Sequence, residues 1–121
     1  MIPRGRELRR FGLVVALAMG VVAFAGAMAA PRSPPRVPRS HVIEIRGMAF
    51  QPAELTVMRG DTVVWINRDI VPHTATAPGK RGWDTGTLNQ AKSGRVVLRD
   101  AGTVHYVCQL HPTMRGTLIV R

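Results

Sequence analysis

Between His41 and Arg121, apolar and polar residues alternate in six short runs. "HVIEIRG" sets Ile43 and Ile45 in strand period with Val42 beside them. "AELTVMRGD" brings Leu55 and Val57 before a turn at Arg59-Gly60-Asp61. "TVVWIN" is β-branched and aromatic, with Val63, Trp65 and Asn67 on one face. "GRVVLRDAG", "TVHYVC" and "GTLIV" follow. The runs are short, set off by Gly, Pro, Asp or Asn, and none sustains a helical period. Arg68 to Ser93 is the longest stretch without strand character, and a short helix or loop is expected there. The pattern predicts a single all-β domain, an antiparallel sandwich or barrel.

The N-terminus reads differently. Arg4, Arg6, Arg9 and Arg10 form a basic head, and Phe11 through Ala30 is apolar and uncharged. Ala27 and Ala29 fit a small-residue cleavage rule, so residues 1–29 are expected to be a secretory signal cut before Ala30. The alternative is a retained membrane anchor, because the apolar run approaches the ~20 residues that span a bilayer. Arg9-Arg10-Phe11 also fits twin-arginine export. "PRSPPRVPRS", Pro31 to Ser40, is too rich in proline for a helix or internal strand and reads as an extended spacer. Residues 30–40 are therefore spacer and 41–121 the folding unit.

Charge raises the question of nucleic acid. From Ala30 onward, thirteen lysines and arginines face six acids, a net charge of about +7. Arg46, Arg59, Arg68, Arg95, Arg99 and Arg115 are scattered singly, with no cluster interleaved with aromatics. Acidic protein partners or anionic membrane surfaces fit better than nucleic acid, and so does a surface tuned only for solubility.

The chain has one cysteine, in "CQLHPTM". A lone thiol exported to an oxidising compartment has no partner for a disulfide within its own chain. Strand period puts Val104, Tyr106 and Cys108 on one inward face, with Cys108 at the strand's end. His111 and Met114 follow at intervals of three, so one short loop can aim sulfur, imidazole and thioether at one point. His73, in "DIVPHTA" after the Trp65 run, lies on a loop that a sandwich can bring beside the first. Taken singly, an inward cysteine is more often core, a methionine packing and a histidine surface. Together they make a His₂Cys set with a weak methionine ligand, the blue-copper electron-transfer arrangement. Zinc accepts His₂Cys too, but methionine serves it poorly. His105 falls on the face opposite Cys108. His41 is expected at the surface, with a weak second metal site as the alternative, and Met48 and Met58 in the core or at an edge.

"YVCQLHPTMRGTLIV" resembles the C-terminal copper loop of the cupredoxins, most closely the amicyanin type with its short C-x₂-H-P-x-M spacing. "GDTVVWINRDIVPHTAT" resembles the family's G-D-x-V-x-W-x-N stretch, and "WDTGTL" its F-D-S-G-x-L segment. The resemblance covers residues 42 to 121. It implies a Greek-key β-sandwich and one copper bound by His73, Cys108, His111 and Met114. It also implies one-electron transfer in the periplasm. Four ligands leave no open position for substrate, so a monomeric, non-enzymatic carrier is expected, its arginines suited to an acidic redox donor and acceptor such as a cytochrome or a dehydrogenase. A copper-delivery protein is the alternative function. Thr74 departs from the family's asparagine, which puts in doubt the tie between the two ligand loops, although its hydroxyl can bridge and its N–H can reach the Cys108 sulfur.

Overall fold

The computed structural model describes residue 12 and residues 14–121. The basic head expected of the signal, Arg4 to Arg10, lies outside the described residues. Among the described residues no helix is long and apolar enough to cross a membrane. Those before Pro34 carry neither helix nor strand. A compact unit spans Pro34–Arg121.

That unit is all-β, as the alternation requires. Its strands are β1 (Ser40–Ile45), β2 (Phe50–Gln51), β3 (Glu54–Val57), β4 (Thr62–Asn67), β5 (Thr76–Ala77), β6 (Trp83–Asp84), β7 (Ser93–Val97), β8 (Gly102–Val107) and β9 (Arg115–Val120). One sheet runs β2-β1-β4-β7 and the other β3-β9-β8-β5-β6. β4 shows why the strands form: Val63, Trp65 and Asn67 are buried, while Thr62, Val64 and Ile66 are half-buried on the outer face. In β1, Ile43 and Ile45 point inward and Val42 outward.

The antiparallel expectation needs correction. β1 pairs with β4 in parallel, and β3 with β9 in parallel; the remaining strand pairs are antiparallel. The chain leaves the first sheet after β2, contributes β3 to the second and returns as β4 in the direction of β1. Such crossovers are a property of topology, which alternation within a strand does not encode. Arg68 to Ser93 holds no helix; β5, β6 and a bridge between His73 and Leu88 occupy it. Met48 and Met58 are not core residues: both sit in turns, 45% and 43% exposed.

Aromatic rings fill the core below the candidate site. Tyr106 lies 4.7 Å from Phe50 and 5.5 Å from Trp65 between ring centroids, and Trp83 lies 4.9 Å from Trp65. Burial pushes the Tyr106 phenol up to about 12. Neither its hydroxyl nor the Trp65 indole nitrogen finds a hydrogen-bond partner among the described residues. The Tyr106 ring packs close against Gly116 of β9, where an added Cβ would collide with Cζ, Oη and Cε1. Tyr106 precedes Cys108 by two residues on the same face, so this packing holds the strand that delivers the thiol.

At the start of β4, Asp61 is 1% exposed. Burial by itself would raise its pKa. Hydrogen bonds from the Arg39 N–H, the His41 ring, the Met58 N–H and the Arg36 guanidinium outweigh that and hold it well below the usual carboxylate range. The last residues of the Pro/Arg-rich segment are thus tied to the sandwich. His41, expected at the open surface, is half-buried, with Nε2 2.8 Å from Asp61 Oδ2.

Candidate metal centre

The loop carrying His73 leaves β4 at the end opposite Asp61. Asn67, fully buried, organises it: its side-chain nitrogen donates to the carbonyls of Val71 and Leu88 at 2.9 and 2.8 Å, and its oxygen accepts the Asp69 N–H at 2.9 Å. The His73 backbone exchanges two hydrogen bonds with Leu88, at 3.1 and 2.7 Å. Asp69 Oδ2 then meets His73 Nε2 at 2.9 Å. That contact places the ring proton on Nε2 and leaves the Nδ1 lone pair directed into the site.

Asp69 is itself held from a third element. Gly47 and Met48 both adopt left-handed backbone, φ 61° and 60°, and their consecutive N–H groups donate to the carboxylate at 2.7 and 2.9 Å. Burial would raise the Asp69 pKa, but these two donors and His73 lower it below the ordinary carboxylate range. Neither Asn67 nor Asp69 was singled out as a site residue from the sequence. The available signal was an acid four residues before a histidine in a Pro-bounded loop, which is common without a metal.

The second loop closes on itself. The Cys108 N–H donates to the Met114 carbonyl at 3.1 Å, and the Met114 N–H to the His111 carbonyl at 2.9 Å. Cys108 is fully buried, Met114 is 4% exposed and His111 is half-buried. The closure turns residues 108 to 114 back under the sulfur, as the three-residue intervals predict.

The loops converge. Cys108 Sγ lies 3.8 Å from His73 Nδ1 and 3.7 Å from His111 Nδ1, and the imidazole centroids are 4.9 Å apart. Among the described residues, no other trio of His, Cys, Asp or Glu brings its ligand atoms so close, here within 4.8 Å. His41 lies outside this group, and Arg36 and two backbone N–H groups share its only carboxylate partner. Metal–nitrogen and metal–sulfur bonds of about 2.0 and 2.3 Å meeting at 120° put their donors about 3.7 Å apart; a tetrahedral angle brings them to about 3.5 Å. Sulfur–nitrogen spacings of 3.7 and 3.8 Å thus let all three groups reach one ion, and a thiolate with two imidazoles suits copper.

Thr74 does make the tie between the loops. Its backbone N–H donates to the sulfur at 3.3 Å, and its hydroxyl accepts the Gln109 N–H at 2.9 Å. The hydroxyl contacts Thr76 Oγ1 at 3.0 Å, and Thr76 donates to Asp84 at 3.1 Å. Asp84 accepts only, so the direction of the chain is set: Gln109 to Thr74 to Thr76 to the carboxylate. Three side chains replace what one asparagine amide would do.

The fold and the donor set define a class. Residues 15–120 match the family described as the cupredoxin-like domain, and the chain belongs to it. It is 35% identical to amicyanin of Paracoccus denitrificans over 83 residues, 65% of this chain and 63% of that protein's length. To amicyanin-alpha of Methylorubrum extorquens it is 30% identical over 100 residues, 79% of this chain and 82% of the relative. Among solved structures, a copper(I) form of a singly substituted amicyanin superposes with TM-score 0.64 at 31% identity, covering 68% of this chain and 82% of that one.

Pro112 has no N–H, so Thr74 supplies the sulfur's backbone donor from the other loop. Pro112→Ala is expected to add a second donor and raise the site's reduction potential. A differential of about 1 kcal/mol corresponds to about 40 mV for one electron. Voltammetry that shows no change or a fall contradicts this.

Proposed function

We propose that this chain is an exported blue-copper electron carrier that moves single electrons between two redox proteins. One ion is held by His73, Cys108, His111 and Met114. The observation that carries the reading is the buried sulfur set at 3.7 and 3.8 Å from two imidazole nitrogens on loops far apart in sequence. Copper supplies the Cu(I)/Cu(II) couple, and the folded loops supply a geometry suited to both states.

Each residue then has a task. Asp69 fixes the His73 tautomer, and the burial of Cys108 keeps water and oxidants from the thiol. The Thr74 tie opposes loop opening, which supports retention of the ion over its delivery. Four protein ligands leave no open coordination position, which argues for a carrier and against a catalyst. The basic head and apolar run of the N-terminus support export to the periplasm.

Docking falls to the rim of His111. Its half-buried ring lies on a loop with Leu110, 48% exposed, and the His73 loop brings Ile70, 83% exposed, and Val71. A small apolar patch beside a metal ligand suits brief contact, and the net positive charge favours acidic donors and acceptors met by a monomer. Leu110→Glu is expected to slow electron exchange with such a partner about tenfold, with colour and potential unchanged. Stopped-flow mixing measures it. An unchanged rate removes Leu110 from the docking face, and a lost colour makes it a prop of the loop.

The reading as a whole is tested by protein-film voltammetry of the copper-loaded chain. Fast, reversible one-electron exchange supports the carrier. Irreversible reduction with loss of the ion overturns it.

A further inference from the structure

β7 is the outer strand of its sheet, and one side of it is unpartnered. Leu98 and Lys92 bond towards the β4 side, through Leu98 N to Asp61 O at 2.9 Å and Asn67 N to Lys92 O at 2.9 Å. By alternation Gly94 and Val96 do the same, so the N–H and C=O groups of Ser93, Arg95 and Val97 face away. Among the described residues no strand pairs with that edge. Beside it, where the two sheets gape, lies a cleft of about 330 Å³ with Trp83, Val96 and Val104 in its wall and Arg81 and Arg99 on its rim.

We infer that this edge and cleft form a docking site for an extended acidic segment of a partner protein, added to β7 as a further strand. The backbone supplies an open ladder, the recognition mode of β-augmentation. Side chains on one face of an added strand would enter the cleft against Trp83 and Val96. Those on the other would stand beside Arg95, Val97 and Arg99, which recur at intervals of two on the outer face. The fitting sequence therefore alternates carboxylates with apolar residues.

Charge selects this occupant over a second copy of the chain. Two β7 edges brought together antiparallel about Val97 would set Arg95 of each copy against Arg99 of the other, in a protein that carries about +7 from Ala30 onward. The rim's one acid, Asp100, is 3.9 Å from Arg81 at an exposed position. The outward arginines thus bar self-pairing and admit an acidic strand. The site is separate from the metal centre, and the inference stands or falls independently of copper.

The test uses the full chain and a blocked nonapeptide alternating glutamate and valine, with a lysine–valine peptide as control. Calorimetry is expected to show saturable one-to-one binding of the acidic peptide. Amide exchange is expected to slow at Arg95 and Val97. The double variant R95E/R99E, altered only at exposed positions, is expected to weaken binding at least about tenfold. R46E/R115E, with the same charge change on the turn after β1 and at the end of β9 that pairs with Val107, is expected to weaken it less than about twofold. Absence of binding, equal binding of the lysine peptide, protection confined elsewhere, equal losses in the two double variants, or self-association through β7 would each overturn the proposal.

Discussion

Asp61→Ala is expected to destabilise the domain by about 2–4 kcal/mol, about 1–2 for each of two backbone N–H groups left without an acceptor. The carboxylate is 1% exposed and receives four different groups. Its removal leaves the Arg39 and Met58 N–H groups without acceptors, the His41 ring without its hydrogen-bond partner and Arg36 without its counter-charge. A small domain holds about 5–15 kcal/mol in total, so much of the margin is at stake. Urea unfolding measures the change, and a loss below about 1 kcal/mol contradicts the account. The same group makes the domain acid-sensitive. Its folded pKa is depressed, so its stabilisation is complete above the ordinary carboxylate range and drains as the pH falls below about 4.

Gly116→Ala is expected to cost about 3 kcal/mol or more, above the middle of the range for overpacking. The new Cβ would collide with Cζ, Oη and Cε1 at the phenol end of Tyr106, and the ring also packs against Phe50 and Trp65. The ring cannot retreat without moving β8, and with it Cys108. Tyr106→Leu in the same chain removes the obstacle, so the double variant is expected to lose less than the sum of the single ones. Additive losses would show that the ring and the glycine do not meet. Tyr106→Phe, which deletes only the unpartnered hydroxyl, is expected to be neutral or stabilising by about 1 kcal/mol.

Strand period made the fold class and the inward face of β8 legible, because alternation directly reports which side chains meet the core. The spacing of Cys108, His111 and Met114 was legible too, since a loop of seven residues can fold only so many ways around one point. The parallel pairs of β1 with β4 and of β3 with β9 were not, because both depend on where the chain crosses between sheets. The roles of Asp69 and Asn67 are not legible in the sequence for a different reason. Their roles come from three-dimensional neighbours, above all the left-handed Gly47–Met48 turn, and an acid or amide in a loop has the same local pattern whether or not it meets such a turn. Thr74 looked like a weakness in the sequence. The compensation lies in Thr76 and Asp84, whose partnership exists only once β5 and β6 pair.

The central claim is that two distant loops prearrange one thiolate and two imidazoles around a single copper ion. The direct test is titration of Cu(II) into the purified metal-free chain, followed by visible absorption. The account predicts an intense blue thiolate-to-copper band that saturates at one ion per chain and disappears in Cys108→Ser. A colourless complex, or a band that survives the loss of Cys108, would contradict it.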